Sequence, residues 1–206
     1  MAEGNVVSTS AELAGMTTRQ RRRLPITAVH TGEGKGKTTA AMGMAMRAWK
    51  SGMDIAVFQF VKSKKWHSGE EDVFGLFQQL HETEGIGGAV EWHKMGAGWS
   101  WTWKEGAEDD HAAKAQAGWQ EVKQRLAAET HDFYLLDEFT YPVTWGWIDV
   151  DDVVETLANR PGRQHVVITG RNADEKLIEV ADLVTRMEKI KHPFDQGRKG
   201  QKGIEW

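Results

Sequence analysis

The stretch ITAVHTGEGKGKTTAAMGMAMRAWK, residues 26–50, constrains the fold more than any other part of the chain. An apolar run ends at Thr31, glycines recur at Gly32, Gly34 and Gly36, and a helical pattern starts at Lys37. Glycines at alternate positions let the backbone wrap with its N–H groups turned inward, which forms a nest for an anion. The helix start adds the positive end of its dipole. Lys37 can neutralise phosphate oxygens, the Thr38 hydroxyl is placed to ligate Mg²⁺, and Lys35 adds charge. The general pattern for such a loop is G-x-x-x-x-G-K-[ST]. Counting back from Gly36-Lys37-Thr38 puts Thr31 where that pattern has its first glycine. The chain should therefore bind phosphate, through a loop that departs from the ordinary ATPase form.

The rest of the chain repeats the alternation of short apolar runs with helical patterns. Strands are expected at 26–31, 54–62, 89–95, 132–137, 164–170 and 182–190. Helices are expected at about 37–50, 69–80, 106–129, 149–159 and 173–181. In the second of these, Val73, Leu76, Phe77 and Leu80 share one face. In the third, Ala112, Ala115, Trp119, Val122 and Leu126 do so. Such alternation implies right-handed crossovers, hence an α/β fold with a mostly parallel sheet of about six strands and helices on both faces; with the glycine loop after its first strand, the expected type is P-loop (RecA-like). Ligands bind such sheets beyond the carboxyl ends of the strands. The loops of interest therefore begin near Gly32, Lys62, Gly96, Glu138 and Gly170.

Composition narrows the function classes. The 206 residues suit one domain, expected at 25–206, behind a flexible polar arm at 1–24. That arm carries Thr9-x-x-Glu12, a capping-box pattern, and the basic run Arg19–Arg23. Its sharper reading is a cover for a phosphate site. A net charge of −4 argues against a nucleic-acid surface. The absence of cysteine rules out disulfides and thiolate metal sites. No apolar run approaches the ~20 residues of a membrane span, and residues 1–16 lack the features of a secretion signal, so a cytoplasmic protein is expected. Tryptophan is unusually frequent, 10 against 2 tyrosines. Trp99, Trp101 and Trp103 cluster in one glycine-flanked stretch, Trp145 and Trp147 in another, both read as loops rather than core.

Two further loops carry chemistry. FYLLDE is an apolar strand ending in Asp137 and Glu138, the form of a Walker B element. Either carboxylate can hold Mg²⁺, directly or through water. Arg171 follows the fifth strand and puts a cation at the ligand edge, and Lys62 does the same after the second. His30, His93 and His192 read as structural. The residues show no metal-ligand cluster and no nucleophile elbow.

Taken in order, VHTGEGKGKTTAA, VFQFVK, MGAGWSWTW, LLDEFTY, VVITGR and KHPFDQGRKGQKGIE resemble the segments of ATP:corrinoid adenosyltransferases of the CobA/CobO/BtuR type. The resemblance runs from about residue 25 to the end. It includes the threonine before the first loop glycine. It implies that ATP lies along the loop in a reversed sense, so that the ribose 5′ carbon faces a corrinoid. The implied reaction is attack of a Co(I) corrinoid on that carbon, giving an adenosylcobalamin-type product and inorganic triphosphate. By resemblance, Gly32 and the loop from Gly34 through Lys35, Gly36, Lys37 and Thr38 to Thr39 bind ATP, with Arg171 as a phosphate contact. Lys37, Thr38 and Glu138 serve catalysis, and Thr38 and Glu138 hold Mg²⁺, for which Mn²⁺ can substitute. Trp99 and Trp101 match an aromatic pair that packs on the corrinoid and displaces its lower axial ligand. Trp99 stands where many relatives have Phe. Glu33 departs further, since an acid beside phosphate is unfavourable unless it points away. An electron donor such as a flavodoxin or flavoprotein reductase, a homodimeric state, and no nucleic-acid or membrane partner are also implied. Two other readings fit the loop alone: a phosphate-releasing P-loop ATPase or kinase, and a nucleotide-gated corrinoid-binding module without turnover.

Overall fold

A computed structural model describes residues 13–61, 67–96 and 108–205. The expectations for Lys62, Trp99, Trp101, Trp103 and the Thr9–Glu12 pattern lie outside these. The chain alternates as the sequence predicts: α1 (Thr18–Arg21), β1 (Thr27–Thr31), α2 (Lys37–Lys50), β2 (Ile55–Gln59), α3 (Gly69–Glu84), β3 (Val90–Lys94) and α4 (Glu108–Ala127). There follow β4 (Phe133–Asp137), α5 (Thr140–Thr144), α6 (Val150–Asn159), β5 (His165–Thr169), α7 (Glu175–Val180), β6 (Leu183–Arg186) and a 3₁₀ turn at Pro193–Gln196.

The six strands form one sheet in the order β3-β2-β4-β5-β1-β6, and each of its five neighbouring pairs is parallel. Side chains alternate between two cores. Ala28, Ile55, Val57, Phe133, Leu135 and Val167 point to the face covered by α2 and α3, through Ala41, Met42, Ala45, Trp49 and Phe74. Val29, Ala56, Phe58, Tyr134, Leu136 and Ile168 point to the other face, covered by α4, α6 and α7, through Trp119, Val122, Val153, Leu157 and Leu177. Burial on both faces explains why β4 is apolar at nearly every position.

Local signals set the element ends. Ser68, Asp149 and Asp174 cap α3, α6 and α7 by accepting backbone N–H groups. A capping box does occur in the basic arm, at Thr17 and Gln20, where it starts the single turn α1 and leaves Arg19 and Arg21–Arg23 exposed.

Three expectations change. The buried stripe of α3 is centred on Phe74, with Phe77 and Leu80 partly buried, while Val73 and Leu76 are exposed. Phe77 stacks on Trp49, Phe74 packs edge-on to Phe77 and tilted against Trp92, and these large rings decide which way the helix turns. The sixth strand stops at Arg186, because Met187 and Glu188 leave the ladder to pack on the glycine loop. Thr140–Thr144 form a short helix with Pro142 inside its first turn, where a missing N–H costs nothing.

Candidate active site

The carboxyl ends of β1, β2, β4 and β5 and the start of α2 meet at one edge. Thr31 closes β1, pairs in register with Arg186 of β6, and is buried. Its hydroxyl accepts from the Ala173 N–H at 3.2 Å, which ties the first loop to the loop after β5. A glycine could not make that bond, so the departure from the general pattern has a structural use here. Gly36 takes a φ of 104° as the residue before α2, a conformation that favours glycine. Gly34 donates its N–H to the Met187 carbonyl at 2.7 Å. The packing is close enough that a Cβ on Gly34 would sit 2.5 Å from the Glu188 carbonyl oxygen.

Lys37 donates through Nζ to the carbonyls of Gly32 and Gly34, both at 2.7 Å. Burial pushes its ammonium below the usual value; Arg171 and, less strongly, Lys35 add to the fall, while Glu138 and Glu33 oppose it. These five charged groups therefore lie close around the loop. Arg171 and Glu33 form an ion pair at 3.4 Å, with both side chains about half exposed. The acid at position 33 is thus turned onto a cation. Lys35 pairs with Glu205 of the C-terminal tail. Thr39 is exposed in the first turn of α2.

The first carboxylate at the end of β4 lies beneath the loop. Asp137 is 0 % exposed. Its Oδ1 accepts from the hydroxyls of Thr38 at 2.8 Å and Thr169 at 2.9 Å. Its Oδ2 accepts from the Gln59 amide at 3.0 Å. Glu138 follows in the left-handed region at φ 59°, a conformation a non-glycine residue adopts at some cost. Its N–H donates to Thr169 Oγ1 at 3.0 Å, which helps hold the turn. The chain thereby leaves the sheet just where the second carboxylate begins.

Thr140 and Thr144 fix the loop after β5 by donating to the carbonyls of Arg171 (2.6 Å) and Asn172 (3.2 Å). Burial, followed by the charge of Glu138, pushes the Tyr141 hydroxyl up to about 12. Tyr141, Trp145 and Trp147 follow one another as a row of rings, with centroids 5.5 and 4.7 Å apart.

The structure therefore gathers Gly32, Gly34, Lys35, Gly36, Lys37, Thr38, Asp137, Glu138 and Arg171 at one edge. The histidines serve elsewhere: His30 is buried beside Met44, His93 stacks on Phe58, and His192 caps the 3₁₀ turn. Sequence reasoning missed Gln59, Trp92, Thr169 and Glu205. Gln59 carried a signal, being the lone polar residue of the run AVFQFV.

Oxygen donors dominate around Thr38, and no group of three or more His, Asp or Glu able to hold a metal occurs among the described residues. That donor set fits Mg²⁺, which takes one or two protein oxygens and completes its shell with water and phosphate.

The family model described as ATP:corrinoid adenosyltransferase BtuR/CobO/CobP matches residues 23–206. A protein of Sinorhizobium named corrinoid adenosyltransferase is 41 % identical over 86 % of this chain and 78 % of its own length. Proteins with that name from Pseudomonas aeruginosa (39 %) and Escherichia coli K12 (40 %) are matched over 86 % of this chain and 82 % and 84 % of their own lengths.

Proposed function

Because the chain belongs to the ATP:corrinoid adenosyltransferase family, BtuR/CobO/CobP type, we propose a division of labour among its residues. The protein is a transferase that adenosylates corrinoids at the expense of ATP. On our reading the nucleophile is the Co(I) centre of the corrinoid substrate, which attacks the ribose 5′ carbon. The new Co–C bond takes its electron pair from cobalt. The C5′–O bond breaks, and its pair leaves with inorganic triphosphate.

The protein's share is positioning and charge neutralisation. The loop from Gly32 to Thr39 cradles the triphosphate. Lys37 exchanges the carbonyls of Gly32 and Gly34 for phosphate oxygens, and Arg171 approaches from the loop after β5. Thr38 and Glu138 hold Mg²⁺, with Mn²⁺ as substitute, and Asp137 orients the Thr38 hydroxyl from behind. When bound, the ion supplies charge neutralisation on the leaving triphosphate. Trp99 and Trp101 pack on the corrinoid and exclude its lower axial ligand. The observation that carries the proposal is the Thr38–Asp137 hydrogen bond at 2.8 Å beneath a glycine loop ringed by Lys35, Lys37 and Arg171. A homodimer, a flavodoxin or flavoprotein reductase as electron donor, a cytoplasmic location, and an arm at 1–24 that covers the nucleotide complete the proposal. These rest on the resemblance. No helix among the described residues is long and apolar enough to cross a membrane.

The test is to incubate the protein with Mg-ATP and chemically reduced corrinoid and identify the phosphate product. Triphosphate in equal amount to adenosylcorrinoid supports the proposal. Orthophosphate would point instead to an ATPase or kinase, and no product to a binding module.

A further inference from the structure

Five side chains from five elements join beneath the phosphate loop, and three of them, Gln59, Trp92 and Thr169, have no role in the reading above. Gln59 ends β2 and is 1 % exposed. It stands opposite Asp137 in the β2–β4 register, so both side chains leave the sheet on the α2 face. The alternation that puts Val57 and Leu135 in the α2 core places Gln59 and Asp137 two residues on, beside Thr38 at the start of α2. Gln59 Nε2 donates to Asp137 Oδ2 at 3.0 Å. Its Oε1 accepts from Trp92 Nε1 of β3 at 3.2 Å. Thr169 of β5 and Thr38 both donate to the other oxygen, Asp137 Oδ1.

The orientation of the Gln59 amide is fixed by its neighbours. An ionised carboxylate only accepts and an indole N–H only donates, so one amide rotamer alone satisfies both. Trp92 is itself held by packing against Phe74, with ring centroids 5.8 Å apart. A rigid ring therefore sets the amide, the amide pins Oδ2, and pinning Oδ2 turns Oδ1 toward Thr38. We infer that Gln59, oriented by Trp92, is a positioning residue that sets the Asp137 carboxylate plane and so aims the Thr38 hydroxyl oxygen at the metal accompanying ATP. This deepens the proposed metal site and rests on that reading. Partners one step behind a metal ligand set its direction, and their loss costs about 10–100-fold in metal affinity.

Gln59→Leu is the direct probe. It keeps roughly the volume but removes both the donor facing Asp137 and the acceptor for Trp92, without adding a carboxyl that would protonate beside Asp137 and donate in the amide's place. ATP affinity should be measured by calorimetry across an Mg²⁺ titration and again in EDTA, with bound Mn²⁺ counted by electron paramagnetic resonance in the presence of ATP. The expected result is an Mg²⁺ midpoint raised about tenfold or more, with the affinity measured in EDTA changed by less than about twofold. Trp92→Phe keeps the ring on Phe74, frees the amide, and should move the midpoint in the same direction by a smaller factor. A folded Gln59→Leu protein with the wild-type midpoint overturns the inference, as does a lowered melting temperature with unchanged Mg²⁺ coupling. If Gln59→Leu does not fold, a wild-type midpoint in Trp92→Phe overturns it. Failure of the underlying reading looks different: the wild-type protein itself would bind ATP equally well with and without Mg²⁺.

Discussion

Gly34→Ala tests whether the loop is shaped by its contact with the segment after β6. Gly34 takes no left-handed φ, so alanine costs nothing in backbone conformation there. The cost is steric. The new Cβ would lie 2.5 Å from the Glu188 oxygen, 2.7 Å from its carbonyl carbon and 2.9 Å from the Met187 carbonyl carbon, all backbone atoms that cannot rotate aside. Relieving the clash separates the loop from residues 187–188 and stretches the Gly34–Met187 hydrogen bond, now 2.7 Å. Overpacking typically costs about 1–3 kcal/mol, and a lost hydrogen bond about 1 kcal/mol. Together they predict about 2–4 kcal/mol, or a melting temperature lowered by about 5–15 °C for a chain of this size. ATP affinity should fall too, because the N–H nest moves. Gly43→Ala is the control: it lies within α2 with nothing near the new methyl, and should gain about 0.5–1 kcal/mol. The measurements are thermal and urea unfolding with ATP calorimetry. A Gly34→Ala protein that melts and binds ATP like the wild type would refute the packing argument.

Lys37→Ala should lower turnover by about 10²–10³ while far-ultraviolet circular dichroism stays that of the wild type, and near-normal turnover would remove Lys37 from the site. Trp101→Ala should lose activity with mildly reduced Co(II) corrinoid yet keep much of it with Co(I) generated beforehand; equal loss in both assays together with the fold would assign Trp101 to packing. Burial holds His30, His111, His131 and His165 below their usual value of 6.5. The unfolded chain therefore binds more protons just below pH 6.5, so stability should decline as pH falls through that region, and His131→Gln should flatten the decline in urea midpoints.

The fold was legible because its signals are local. Glycine spacing marked the loop, and a period of about 3.6 marked α2 and α4. The nearly continuous apolar run at 133–136 marked β4 as a strand covered on both sides. The strand order was not legible, since neighbours such as β4 and β5 are chosen by packing across the whole sheet. The same limit hid parts of the site. Thr169 and Gln59 matter because register brings them to Asp137, and register is a property of paired strands rather than of either segment. Glu205 stands 170 residues from Lys35 and meets it only once the tail folds back. Val73 and Leu76 misled for a different reason: they have the right spacing for a buried stripe, but the larger rings of Phe74 and Phe77 took the inner face.

The candidate site divides into two parts that should respond differently to triphosphate. Asp137, Thr38, Thr169 and Gln59 are joined by short bonds about a fully buried carboxylate. Disturbing a buried charge is costly, so this part keeps its geometry while substrates come and go. The contacts of the loop cations are of another kind. Arg171–Glu33 is an exposed pair at 3.4 Å, and such pairs contribute at most about 1 kcal/mol. Lys35 is likewise more than half exposed in its pair with Glu205, and Lys37 holds two neutral carbonyls. Each cation can exchange its partner for a phosphate oxygen at small cost, which makes Glu33 and Glu205 displaceable counterions. Glu33→Gln should then raise ATP affinity by only a fewfold and steepen its decline with salt, whereas Asp137→Asn should raise the Mg²⁺ midpoint of binding by about 10–100-fold. Calorimetry at two ionic strengths separates the two. A Glu33→Gln protein as damaged as Asp137→Asn would show that the acid at position 33 belongs to the rigid part after all.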